Sequence, residues 1–115
     1  MDNFPFYNHF VIKLLFDEVT EMTRPWVDDL VGRIISELNL QVCDCLAYGF
    51  ENGGLTKVWV LSQSHLVCHT WPEKHAVHID LMTCAPTVKH MDVEAVIAGV
   101  RAQAASVRQL ENREH

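Results

Sequence analysis

Basic charge is scarce in this chain: nine Lys and Arg stand against fifteen Asp and Glu in 115 residues, for a formal charge of −6. The few cations are scattered rather than clustered, so a phosphate-backbone partner has little to hold and no nucleic acid is expected. An acidic surface mildly favours a cationic ligand, without placing a site. Long apolar runs are missing too. None reaches the ~18 residues of a membrane span, so no membrane partner is expected. Met1-Asp2-Asn3-Phe4-Pro5 lacks the basic region and apolar run of a secretory signal, which makes a cytoplasmic protein the expectation. Only four cysteines occur, and without export they are expected to stay reduced. Repeats, linkers and low-complexity stretches are absent as well.

What is present suffices for a core. The apolar fraction is 49% and the mean hydropathy +0.03, and the length suits a single domain over residues 1–115. His9 to Phe16 is branched, aromatic and apolar at both parities, and reads as a first strand. Thr23 is a possible cap and Pro25 suits a first helical turn; Val27, Leu30, Val31, Ile34, Ile35 and Leu38 then recur at helical spacing until Asn39. Val42 to Phe50 and Leu55 to Leu61 read as strands of a hairpin around Glu51-Asn52-Gly53-Gly54. Leu66 to Trp71, stopped by Pro72, and Ala76 to Thr83 give two more. Val93, Val96, Ile97, Val100 and Ala104 predict a second helix, with a weak sixth strand at Val107 to Leu110. Adjacent strands with two helices predict an α+β fold: a two-layer sandwich of an antiparallel sheet with both helices on one face. The other sheet face would need a cover, which a second copy could supply.

Three residues could carry chemistry. Ser64 lies just past a buried strand where the chain reverses, His69 follows five residues later, and Cys84 closes Asp80-Leu81-Met82-Thr83-Cys84. Each alone has an ordinary explanation: a turn serine bonded to local backbone, a half-buried histidine, a small buried thiol. If the turn closes near Ser64, an imidazole on the returning strand could come within reach of its hydroxyl.

The blocks Ser62-Gln63-Ser64-His65, His69-Thr70-Trp71-Pro72-Glu73 and Asp80-Leu81-Met82-Thr83-Cys84 together resemble the signature of the small prokaryotic-type S-adenosylmethionine decarboxylase proenzymes, with the family's spacings between them. The resemblance extends in pattern from about Phe10 to Leu110. It implies a pyruvoyl-dependent enzyme of the S-adenosylmethionine decarboxylase-like fold, made as a proenzyme that cuts itself between Gln63 and Ser64. The products implied are a β chain, residues 1–63, and an α chain, residues 64–115, whose first residue is a pyruvoyl group derived from Ser64. The substrate amine would join that carbonyl as a Schiff base, and the group would draw off the electrons of decarboxylation.

By the same resemblance, His69 is the base that assists elimination, and Thr56 stands where the family has a serine that bonds the ester intermediate. Cys84 is the acid that reprotonates the product, Glu73 accepts hydrogen bonds from ribose hydroxyls, and Phe50 stacks on adenine. Phe4, Phe6 and Phe10 are candidates for a second stacking residue. The substrate implied is S-adenosylmethionine, decarboxylated to the aminopropyl donor for spermidine, and the assembly implied is a homodimer with residues of both chains near each pocket.

The chain departs from the pattern at Gln63, where glutamate is usual, at Lys74-His75-Ala76-Val77-His78, and at Ala85-Pro86 after the cysteine. Cleavage needs the backbone carbonyl of residue 63, not its side chain. Three other readings stay open: a pyruvoyl-dependent decarboxylase of ornithine or arginine, an unprocessed homologue that regulates an active partner, and a metal-binding module built from His65, Cys68, His69, His75 and His78. The last lacks paired ligands at zinc spacing, and no metal is expected.

Overall fold

The computed structural model describes residues 3–113. Strand β1 spans Tyr7–Leu15 and alternates strictly: Asn8, Phe10, Ile12 and Leu14 are buried, while the residues between them face outward. Helix α1, Arg24–Glu37, begins as expected. The Thr23 side chain accepts a bond from the Trp26 N–H at 3.3 Å, a proline occupies the first turn, and Val27, Leu30, Val31, Ile34 and Ile35 form the buried stripe. Asn39 ends it at φ 57°, a conformation asparagine tolerates.

Strands β2 (Val42–Gly49), β3 (Leu55–Leu61), β4 (Ser64–Trp71) and β5 (Ala76–Thr83) follow, with a short 3₁₀ turn at Pro72–Lys74 between the last two. In the β2–β3 turn Gly53 takes φ 88°, and a side chain on Gly54 would meet the Thr70 carbonyl at 3.1 Å, so both positions call for glycine. Helix α2 is His90–Ala98 and strand β6 is Ala104–Arg113.

This last region differs from the sequence expectation. The helix was expected to run on through Val100 to Ala104, but it ends at Ala98 with Gly99 as its cap. Ala104 opens a strand of ten residues rather than the short Val107 to Leu110 piece. Pairing decides the outcome. β6 lies antiparallel along β1 from Tyr7↔Arg113 to Leu15↔Ala104 and so satisfies the backbone groups of β1 that face it, becoming the sheet edge itself.

The sheet order is β2-β3-β4-β5-β1-β6, antiparallel throughout. Its inner face and the apolar stripes of both helices form one core, in which Phe10, Ile12, Ile34, Leu66, Ile79 and Leu81 are fully buried. The expected two-layer α+β sandwich is the observed architecture. Truncating such a residue to alanine costs about 2–5 kcal/mol. Two polar side chains of the core are bonded: Asn8 Nδ2 donates to the Val88 carbonyl at 2.8 Å, and Thr70 Oγ1 accepts from the Leu55 N–H at 3.0 Å. Lys57 of β3 reaches Asp28 of α1 at 2.7 Å and so pins the hairpin to the helix layer.

The opposite sheet face carries no helix. Along its rows stand Leu46, Val58 and Val67; Asp44, Val60 and His65; Tyr48, Thr56, His69 and His78. Leu46, Tyr48, Phe50, Val60 and Trp71 are all exposed. Such a contiguous apolar surface marks a place of contact.

Candidate active site

Ser64 is the first residue of β4. It pairs with Leu61 across a connection of only two residues, Ser62 and Gln63. Hairpin loops this short favour a positive φ at both central residues or at the first. Here Gln63 alone has it, at φ 55°. A side chain in that region costs about 1–2 kcal/mol, so the peptide just before Ser64 is held in a disfavoured geometry. Neighbouring backbone maintains it, with the Ser62 N–H donating to the Gln41 carbonyl at 2.9 Å.

The Ser64 hydroxyl oxygen accepts a bond from the Cys84 N–H at 3.1 Å. Cys84 follows β5 directly, so the end of one strand grips the start of its neighbour. Both residues, with Asn39, Gln41, Gln63 and Thr83, line a hollow of about 360 Å³. Ser64, Gln63 and Cys84 are thus brought together.

Thr56 and His69 also meet, but elsewhere. They are cross-strand partners on the helix-free face, and His69 Nδ1 lies 2.8 Å from Thr56 Oγ1. They line a cavity of about 710 Å³ together with Phe50, Glu51 and Trp71. Phe50 is half open to solvent and leans on Tyr48, with ring centres 5.0 Å apart. The Trp71 ring lies 5.9 Å from that of His69. On its other side Trp71 walls an apolar hollow of about 450 Å³ with Lys13, Ala76 and His78.

Ser64 and His69 do not meet within one chain, contrary to the expectation of a turn that closes them. Five residues of continuous strand separate them, which is roughly 16 Å. They also differ in parity. Ser64 shares that of the buried Leu66, Cys68 and Thr70, whereas His69 belongs to the open face.

Of the remaining expected residues, Glu73 is exposed in the 3₁₀ turn and does not line the cavity beside Phe50. Phe10 is wholly buried in the core, which removes it as a stacking candidate. Phe4 packs edge-on against Tyr7. Trp71 and Glu51 are the residues that sequence reasoning missed. Period-two alternation from His69 puts Trp71 on the same face, and that signal was available.

Among the described residues two groups have displaced proton affinities. Burial on the core face pushes the Cys68 thiol up to about 12, which makes it inert. His78 is held below its ordinary value, first by burial, then by His69 nearby and by Lys13, with Asp80 opposing. Its Nδ1 is buried without a hydrogen-bond partner. The histidines and Cys68 considered for a metal divide between the two sheet faces. Among the described residues no group of three or more His, Cys, Asp or Glu could hold a metal ion. Nor is any helix among them long and apolar enough to cross a membrane.

Comparison with known proteins places this geometry. A sequence model of the S-adenosylmethionine decarboxylase family matches residues 22–113. The S-adenosylmethionine decarboxylase proenzyme of Carboxydothermus hydrogenoformans is 31% identical over 83 residues, covering 72% of this chain and 64% of that protein. That of Pelotomaculum thermopropionicum is 31% identical over 77 residues, covering 67% and 60%. The chain therefore spans a little under two thirds of these relatives. The crystal structure of the adenosylmethionine decarboxylase from Aquifex aeolicus superposes with a TM-score of 0.76 at 22% identity, over 94% of this chain and 91% of that one. This likeness is one of fold.

Proposed function

The chain belongs to the S-adenosylmethionine decarboxylase family, and from that premise we propose that it is a pyruvoyl-dependent S-adenosylmethionine decarboxylase, made as a proenzyme that cleaves itself at Gln63/Ser64. One observation carries the reading: a serine hydroxyl gripped by the Cys84 N–H, directly after a residue in left-handed conformation. A disfavoured geometry at the scissile peptide favours its loss, and a gripped hydroxyl has less freedom to lose on attack.

In the cleavage, Ser64 Oγ attacks the Gln63 carbonyl carbon and the amide nitrogen leaves it, which gives an ester. Removal of the Ser64 α-proton then expels the Gln63 carboxylate and leaves a dehydroalanine, which takes up water and releases ammonia. The residues present fit the pyruvoyl group so formed, because Cys84 already stands beside the Ser64 side chain. When formed, that group supplies a ketone that accepts the electrons released with carbon dioxide. The Cys84 backbone beside the Ser64 hydroxyl supports a role for its thiol in handing a proton to the product. Thr56 holds the His69 ring through Nδ1, which leaves Nε2 for proton transfer.

The cavity of about 710 Å³ between Phe50 and Trp71 has room for a nucleoside. It favours S-adenosylmethionine over ornithine or arginine, and with it the supply of an aminopropyl donor for spermidine. Glu73, exposed in the turn that follows Trp71, is offered to the ribose.

Since His69 stands some 16 Å from Ser64 in its own chain, we assign the proton transfer to a homodimer. A second copy laid on the helix-free face would bring the His69 end of one chain to the Ser64 end of the other. The apolar exposure of Leu46, Tyr48, Phe50 and Val60 supports that contact. Four free cysteines suit the reducing cytoplasm as its place of work.

Intact-mass analysis of freshly purified protein tests the reading. Two fragments meeting at Gln63/Ser64, the second with a blocked end, support it. Their substrate is then identified by carbon dioxide released from S-adenosylmethionine, ornithine or arginine, each labelled in the carboxyl group. An intact chain with no activity would instead indicate a regulatory homologue.

A further inference from the structure

Two titratable residues of the motif blocks have no part in the chemistry above: His65 and Asp80. The structure joins them. Asp80 lies opposite Val67 of β4 and Val11 of β1, so its diagonal neighbours toward the Ser64 end are His65 and His9. His9 Nε2 is 2.9 Å and 3.0 Å from the two Asp80 oxygens. His65 Nε2 is 3.8 Å from Oδ1. All three side chains are partly shielded on the helix-free face, at 27%, 30% and 44% exposure for His9, Asp80 and His65. A single carboxylate thus links β1, β5 and β4 at the end of the sheet where Ser64 stands.

We infer that His9, Asp80 and His65 form a tether that positions the new end of the α chain once Gln63–Ser64 is cut. The inference rests on the self-cleavage reading and extends it to residues with no reactive role. His65 is the residue whose backbone nitrogen carries the Ser64-derived group. Before the cut, the two-residue loop fixes the start of β4. Afterwards the end is free, and strand ends fray unless tied down.

The tether ties this end to the strand that matters. Asp80 lies within the chain's fifth strand and Cys84 directly follows that strand, four residues on. Anchoring His65 to Asp80 therefore references the reacting group to the residue that must reach it. The firm arm of this anchor is the 2.9 Å His9–Asp80 bond, while His65 stands 3.8 Å from the same carboxylate, within ion-pair reach rather than hydrogen-bonded. These are positioning residues: they touch neither substrate nor the reacting atoms.

The test uses the full chain as Asp80→Asn, His65→Leu and His65→Gln, with the processed fraction counted by intact mass. Asp80→Asn is expected to cleave. Per cleaved chain, its kcat on S-adenosylmethionine is expected to fall about tenfold with KM within about twofold, since a displacement near 1 Å is costly to an aligned reaction. Amide exchange at His65 and Leu66 is expected to quicken about tenfold while that at Leu81 in the core stays put. His65→Gln, which keeps a donor, is expected to recover most of the activity lost in His65→Leu. Unchanged kcat per cleaved chain in Asp80→Asn overturns the tether, as does a fall in kcat without faster exchange at the start of β4. If Asp80→Asn does not fold, the half-exposed His65→Leu carries the same two readouts. Native protein that never cleaves sinks the self-cleavage reading and the tether together, whereas native cleavage with an indifferent Asp80→Asn sinks the tether alone.

Discussion

Replacing Gln63 with glycine tests whether the peptide before Ser64 is strained and whether the strain is used. A non-glycine residue at φ 55° costs about 1–2 kcal/mol, and glycine relieves this. Glycine also gives the unfolded chain more freedom, which returns about 0.5–1 kcal/mol. The net gain is about 0.5–1 kcal/mol. It should be measured in a Ser64→Ala background, where no cleavage intervenes. Unfolding entropy of about 2.1 cal/mol/K per residue over 115 residues makes this a Tm rise of about 2–4 °C by calorimetry. In the Ser64 protein the same relief is expected to slow fragment formation about two- to fivefold, if the strain is released on the way to the ester. Denaturing gels of timed samples give the rate. No gain in Tm refutes the strain itself. A gain in Tm with undiminished cleavage shows that the strain has no part in the reaction, and refutes the argument built on it.

Thr56→Val removes the hydroxyl that holds His69 at 2.8 Å while keeping its shape, and is expected to slow processing about fivefold, the worth of one hydrogen bond of about 1 kcal/mol. The same timed gels check it. Because the folded state holds His78 below its ordinary 6.5, the unfolded chain takes up a proton that the folded chain refuses as pH falls through that value. Stability is therefore expected to drop from pH 6.5 downward until the folded ring also protonates, and urea titrations of His78→Gln should show that part of the slope flattened. Iodoacetamide on native protein is expected to label exposed Cys43 and Cys45 and to spare Cys68, with its buried thiol near 12, until the chain is unfolded. Peptide mass mapping would read each site.

Where residues repeat with a period, the fold was legible. The loose alternation in β5, the stripe of α1 and its Thr23 cap are local signals, and the structure carries all of them. Val100 and Ala104 continue a helical spacing that the backbone abandons at Gly99, because pairing with β1 satisfies more backbone groups than another helical turn would. That competition is between distant segments and leaves no mark in a local window. The motif residues were legible by resemblance, yet their partition was not. Ser64, Gln63 and Cys84 gather at one end of β4, while Thr56 and His69 gather five residues away. Strand parity would have shown that Ser64 and His69 face opposite ways, since one sits at an even and the other at an odd position. Glu51 came into view only with the cavity, because a turn residue has no periodic partner to betray its direction.

The strand order has a consequence for the two pieces that the proposed cut would leave. Residues 1–63 supply β1, β2 and β3, and residues 64–115 supply β4, β5 and β6, but the sheet does not divide between them. β1 is slotted between β5 and β6, so the pieces are shuffled like cards and share three seams rather than one. Neither can slip away without dismantling the other, and dilution alone will not part them. Full melting is a different matter: separated halves must first find each other, so their recovery is expected to depend on concentration in a way that refolding of one uncut chain does not. The proposed cut, in making a reagent from the backbone, would thereby also make denaturation hard to undo.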